Sequence, residues 1–177
     1  MRTRPLLLLL LLGAAMLWSG EARLGLGVFA FAPRGLDFQA SFRPTGSPWT
    51  FGVRHVQWMN TFRDPFTGRS LSETTETRSG PVVTYLFRPE ARGSWYLGGA
   101  VYRWAKAEKS LVFGDTSRVS TTAPLVGGGY TGALGSHFYW NAGIFLGPGR
   151  TLKTQTSTGS EEDSGFFDLQ AQAGLRF

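Results

Sequence analysis

The sequence closes with Phe166-Phe167-Asp168-Leu169-Gln170-Ala171-Gln172-Ala173-Gly174-Leu175-Arg176-Phe177. Taken in steps of two from the end, Phe177, Leu175, Ala173, Ala171, Leu169 and Phe167 form one set. The interleaved set is Arg176, Gly174, Gln172, Gln170 and Asp168, with Phe166 its one apolar member. Strict period-two alternation is the mark of a strand with one apolar and one polar face. Helical spacing would put Asp168 and Gln172 on one stripe with Ala171 and Leu175. The stretch reads as a strand.

The other end reads as an export signal. Arg2 and Arg4 precede the apolar run Pro5–Trp18, with Leu6 to Leu12 unbroken, and Gly20 and Ala22 stand at the −3 and −1 positions of a cut after Ala22. About fourteen apolar residues fall short of the roughly 20 that a spanning helix needs. The expected division is therefore a signal peptide over 1–22 and one domain over 23–177. That domain holds eight strands of about ten residues with loops, but not a sixteen-stranded porin. The chain contains no Cys, which excludes disulfides, thiolate metal sites and a lipoprotein anchor. Its formal net charge is +6 and stays positive without Arg2, Arg4 and Glu21. The Arg residues are scattered with no basic run, which argues against nucleic acid as a partner.

Between the ends, alternating runs recur. Strand one is read over Leu24–Ala32, followed by the turn Pro33-Arg34-Gly35. Strand two puts Leu36, Phe38, Ala40 and Phe42 on one face, with Asp37, Gln39, Ser41 and Arg43 on the other. Strand three starts at Trp49, and its phase breaks near Arg54-His55, so that a β-bulge is expected to bring Val56 and Trp58 onto the apolar face. Strand four carries Val83, Tyr85 and Phe87 outward. In strand five, Trp95–Ala105, the expected phase sends Arg103 inward and Tyr96, Tyr102 and Trp104 outward. Strand six, about Thr121–Leu134, contains Gly127-Gly128-Gly129, which gives room for curvature or bulky neighbours. Strand seven puts Phe138, Trp140, Ala142, Ile144 and Leu146 on one face. Three long polar stretches, Asn60–Gly80, Lys106–Arg118 and Gly147–Gly165, read as loops, and all lie at one end.

A closing strand with Leu169 and Leu175 at alternate positions and a terminal Phe177 resembles the C-terminal signature of bacterial outer-membrane β-barrels. The even strand count, the loop asymmetry and aromatics near strand ends (Trp49, Tyr96, Trp104, Phe177) agree with it. The expected fold is all-β: an eight-stranded antiparallel up-and-down transmembrane β-barrel in a Gram-negative outer membrane. The resemblance implies that Leu169, Leu175 and Phe177 are an assembly signal read by the barrel assembly machinery. It also implies outer-membrane lipids and lipopolysaccharide as surroundings, and a monomer.

With lipid outside, Asp37, Gln39, Ser41, Arg43, Arg103, Asp168, Gln170, Gln172 and Arg176 face inward. Asp37 and Arg43 are expected to meet Asp168 and Arg176 in a network that plugs the lumen, because eight strands enclose only their own side chains. A soluble lipocalin-like barrel is the reversed alternative.

Little points to chemistry. His55 and His137 have no metal-ligand spacing, and no cofactor is implied. Phe138-Tyr139-Trp140-Asn141-Ala142-Gly143-Ile144 is similar to the His-Tyr-Ser-Asn-Ala-Gly-Ile stretch of outer-membrane lipid A deacylases. In that family the His and Ser are base and nucleophile, and here they are Phe138 and Trp140. The expectation is a barrel without catalytic activity that acts structurally or through its surface loops. The competing expectation is an outer-membrane lipid acyl hydrolase with His55 as base.

Overall fold

The computed structural model describes the backbone of residues 19–32, 34–157 and 159–177, with side chains except at 149–155 and 159–165. The apolar run Pro5–Trp18, read as the core of a signal peptide, lies outside the described residues. Among them, eight antiparallel strands close into a barrel: β1 Gly20–Gly27, β2 Leu36–Pro44, β3 Trp49–Arg63, β4 Ser70–Leu86, β5 Gly93–Ser110, β6 Thr116–Leu134, β7 Phe138–Thr156 and β8 Gly159–Arg176. Each strand pairs with its chain neighbours, and β1 pairs with β8 to close the ring. Closure satisfies every strand edge, which a wall in contact with lipid requires.

The first strand differs from expectation at both ends. β1 begins at Gly20, before the anticipated cut, with Gly20, Glu21 and Ala22 opposite Pro44, Arg43 and Phe42. The backbone of Ala22 also exchanges hydrogen bonds of 3.1 and 2.9 Å with Phe177. A cut after Ala22 would remove this part of the ladder. At the other end the strand stops at Gly27, and Val28–Phe31 forms a 3-10 turn in place of further strand. Gly27 is required there, since any Cβ would run into the Asp37 carboxylate.

Strand three keeps one phase. Its register against β4 is continuous from Trp49 to Phe62, with a shift only between Phe62 and Arg63, so there is no bulge at Arg54-His55. Thr50, Arg54 and Val56 are buried in the lumen, and Trp49 and Phe51 are exposed on the outer wall. The apparent phase break arises because Val56 and Trp58 are apolar residues of the inner face.

The three long stretches read as loops are mostly strand. β3–β4, β5–β6 and β7–β8 continue as hairpins whose connections span only residues 64–69, 111–115 and 157–158. Thr74, Thr75, Thr77, Thr116, Thr121 and Thr122 carry these extensions, and β-branched side chains suit a strand whether or not its face is apolar. A strand needs about 9–11 residues to cross a membrane. β4 to β8 have 17 to 19 residues each, so roughly half of each projects beyond an apolar band. Among the described residues, the other end carries the tight connections 45–48, 87–92 and 135–137, the start of β1 and the end of β8.

The outer wall is apolar between these ends. Leu26, Leu36, Phe51, Tyr85, Leu97, Val101, Val126, Ile144, Leu146, Phe167, Leu169 and Leu175 are all exposed there. At the end with short turns, aromatic rings pack on one another, across strands for Trp49 on Tyr85, Trp95 on Tyr130 and Tyr130 on Trp140, and along the chain for Tyr85 on Phe87. This aromatic belt uses Trp49 as expected but not Tyr96 or Trp104. Both of those face inward, 3% and 5% exposed.

Strand five therefore has the phase opposite to the one expected. Tyr96, Tyr102 and Trp104 are buried, and Arg103 is exposed on the outer wall. Arg103 stands beside Ser79 and Thr122, where the outer wall turns from apolar to polar, and a long cationic side chain reaches water from such a position. The lumen is thus two cores side by side. Tyr96, Tyr102, Trp104, Leu125, Phe145 and Phe166 form an apolar half, and glycines make room for the rings. Gly129 and Gly143 sit where a Cβ would collide with the Tyr96 hydroxyl. The polar half lies against β2, β3 and β8.

Candidate functional site

Arg54, on the inner face of β3, organises the polar half. Its guanidinium reaches both oxygens of Asp37 across the adjacent strand β2, at 3.1 and 3.0 Å. It also contacts the Asp168 carboxylate of β8 and donates to the Leu169 carbonyl at 3.2 Å. The side chains of Arg54, Asp37 and Asp168 have no solvent exposure. Arg78 extends the chain of charge. It lies 3.7 Å from Asp168, bonds Glu76 at 3.1 and 2.8 Å, and stacks 3.5 Å above the Trp104 ring. Amides fill the space next to it. Gln170 donates to Asp168 at 3.3 Å and to the Tyr102 hydroxyl at 3.4 Å, and Gln172 donates to Gln39 at 2.9 Å.

The structure therefore brings Asp37, Gln39, Asp168, Gln170 and Gln172 into the lumen, but their cation is Arg54. Arg43 and Arg176 do not reach Asp37 and Asp168. Six residues of strand separate Asp37 from Arg43, about 20 Å at 3.3 Å per residue. Both arginines sit at the mouth with the short turns and share Glu21. Arg43 lies 3.2 Å from Glu21 and also bonds the Pro89 carbonyl at 2.8 Å. Arg176 lies 3.9 Å from Glu21 and donates to the Ser136 and Gly135 carbonyls at 2.8 and 3.0 Å. Arg23 pairs with the same carboxylate. Ser41 is half-buried on the same inner face as Arg43, and Arg103 takes no part. The signal for Arg54 is its parity, since Thr50, Gly52 and Arg54 alternate with Trp49, Phe51 and Val53.

On the outer wall, His55 Nδ1 lies 2.6 Å from Ser79 Oγ, and Phe38 packs against the imidazole. A hydroxyl hydrogen-bonded to an imidazole is the elementary nucleophile–base pair. Sequence reasoning singles out His55 but not Ser79. His137 is an exposed residue of the β6–β7 turn. Phe138 and Trp140 are exposed on the outer wall. Among the described residues, no group of three His, Asp or Glu side chains could hold a metal ion.

The projecting hairpins are tied at their tips. Asp64 accepts the Phe66 and Thr67 amides at 2.8 and 3.1 Å, and these backbone bonds hold its carboxyl below the usual carboxylate range. Asp115 accepts the Ser157 amide at 2.8 Å and hydroxyl at 3.0 Å, linking the β5–β6 and β7–β8 tips, and its carboxyl is lowered likewise. The Leu111 amide donates to the Leu71 carbonyl, linking the first two hairpins. Apolar groups stand on this braced end. Phe66 is 96% exposed and Phe113 68%, with Phe62, Leu111 and Val112 also exposed.

No protein-family model matches the chain, and no curated protein matches it. Solved structures do. The attachment invasion locus protein Ail of Yersinia pestis, in complex with the heparin analogue sucrose octasulfate, superposes with a TM-score of 0.57 at 17% identity, over 90% of this chain and 99% of that one. Neisserial surface protein A gives 0.52 at 14% identity over 89% and 92%. A major outer membrane protein from Thermus thermophilus gives 0.51 at 10% identity over 89% and 98%. The fold is that of the small eight-stranded outer-membrane β-barrel proteins. An outer-membrane barrel of this size keeps its lumen as packed core, and the reversed, lipocalin-like arrangement has no room for a ligand where Arg54 and the ring cluster sit.

The cluster sets a stability expectation. Arg54→Met leaves two carboxylates buried without their cation, and stranding a buried charge costs about 3–5 kcal/mol. Urea unfolding from lipid vesicles should show a loss of that size, and adding Asp37→Asn and Asp168→Asn should restore most of it. An unchanged midpoint for Arg54→Met would mean that the cluster is not closed in the membrane.

Proposed function

We propose that the protein is a monomeric integral protein of the bacterial outer membrane that acts by surface contact through its three projecting hairpins, without a catalysed reaction. The apolar band sits among outer-membrane lipids and lipopolysaccharide, the short turns face the periplasm and the hairpins face outward. Leu169, Leu175 and Phe177, all on the outer wall, are the residues offered to the barrel assembly machinery. The observation that carries this reading is the set of exposed rings at Phe62, Phe66 and Phe113 on tips braced by Asp64 and Asp115. Large apolar groups held in water on a rigid support mark a contact surface. The partner is a macromolecule that offers apolar surface. The similarity to Ail, solved with a heparin analogue, makes a sulfated glycan a second ligand to test beside protein.

The direct test is adhesion of cells displaying the barrel to immobilised extracellular-matrix proteins and sulfated glycans. Phe66→Ser with Phe113→Ser should lower adhesion at least tenfold while the heat-modifiable gel mobility of the folded barrel stays as in wild type. Equal adhesion by the folded variant would remove the tips from the function.

A second reading, acyl hydrolysis of an outer-leaflet lipid, is favoured by the His55–Ser79 contact at the height where the outer wall turns polar. In it Ser79 attacks the ester carbonyl while His55 accepts its proton and passes it to the departing alcohol, water then cleaves the acyl-serine to free fatty acid and restores Ser79, and Arg103 beside Ser79 meets the lipid's anionic groups. Purified barrel incubated with lipopolysaccharide or phospholipid should then release fatty acid, and Ser79→Ala should abolish the release. No release from either lipid by folded protein excludes this reading.

A further inference from the structure

Five guanidinium groups converge on the mouth of the barrel at the end with short turns. Arg23, Arg43 and Arg176 come from β1, β2 and β8, and Arg88 and Arg92 from the β4–β5 turn, around an open cavity of about 430 Å³. Among the described lining residues, the acids that oppose them are Glu21 and Glu90. Arg43 is held in place from three sides, by Glu21, Glu90 and the Pro89 carbonyl, yet its buried Nε has no hydrogen-bond partner. The Tyr139 hydroxyl, on the same lining, is also buried without one, and the Arg23 guanidinium lies 5.4 Å from its ring. A buried donor without a partner is unfavourable, so a small shift of either group toward the cavity would be matched by an acceptor there.

We propose that this mouth is a periplasmic binding site for a phosphate group. Guanidinium forks match the paired oxygens of phosphate, and the excess of cations suits an oxyanion with more than one negative charge. Volumes of a few hundred Å³ are those of small-molecule sites. Arg88 and Arg92, exposed on the turn, meet the anion first. Arg23, Arg43 and Arg176 close around it inside. All five arginines lie beyond Ala22, so the site keeps them with a cut there. The phosphate comes either from a soluble phosphorylated compound or from a phospholipid headgroup of the inner leaflet, which lies at the height of the aromatic belt. The site is separate from the hairpin tips and stands whether or not the surface-contact reading does.

Arginine Nε–H resonances of the barrel report on this directly. In a zwitterionic detergent, pyrophosphate should shift a subset of these signals saturably, and Arg88→Gln with Arg92→Gln should weaken the response at least tenfold with heat-modifiable mobility intact. In lipid nanodiscs, replacing part of the phosphatidylethanolamine by phosphatidylglycerol should move the same signals if the headgroup is the source. A response to pyrophosphate alone assigns a soluble ligand, and a response to phosphatidylglycerol alone assigns the lipid. Shifts that grow linearly with salt, that ignore the double variant, or that are absent in both arms would overturn the proposal.

Discussion

A single guanidinium shut away from water between two carboxylates constrains the rest of this barrel. Removing three charges from solvent is costly, and only close multidentate geometry offsets it. Arg54 achieves that by paired bonds to Asp37 and a contact with Asp168, which draws β2, β3 and β8 toward one point. The place matters because the closing seam is the weakest ladder. β1 and β8 pair over Arg23–Gly27, with one further exchange between Ala22 and Phe177, and β1 is the shortest strand. The ion cluster spans that seam from inside. It joins β8 to β3 over the heads of the two short strands between them, and the Gly27 that admits Asp37 is part of the same arrangement.

The opposite half of the lumen obeys a different rule. There the filling is Tyr96, Tyr102, Trp104, Leu125, Phe145 and Phe166, and the wall thins to glycine where the rings press on it. An interior this narrow is filled by side chains. Large rings are therefore as suitable inside as polar groups, provided that each hydroxyl and charge can be matched. Arg78, stacked between Trp104 and Trp58, is the hinge between the two halves.

These two rules explain which parts of the molecule are legible in the sequence. β8 and β2 are legible because their inner faces are polar and their outer faces apolar, so that period two shows both strand and phase. The count of eight comes from the alternating runs along the whole chain, and closure follows because an open edge in lipid would leave backbone groups unsatisfied. β5 misleads because Trp95, Tyr96 and Leu97 are apolar on both faces. Its one charge near the band, Arg103, suggests an inward position, although it stands at the edge where its side chain reaches water. Arg54 is hidden because its inner neighbours Val56 and Trp58 are apolar and its outer neighbour His55 is polar, a local inversion that imitates a bulge. The hairpins look like loops because a strand with water on its outer side loses the apolar alternation, leaving threonine as the only sign of strand. Which strands meet across the lumen depends on height along the barrel, and parity alone gives Arg43 and Arg176 the wrong partners.

The alternation of these strands separates a lipid-facing wall from a filled interior, with β5 in the phase that buries Trp104. Fluorescence of single-tryptophan variants in vesicles of lipids brominated along their acyl chains measures this directly. Trp140, on the outer wall, should be strongly quenched, and Trp104, between Arg78 and Phe166, should keep its emission. Equal quenching of both, or quenching of Trp104 alone, would contradict the account.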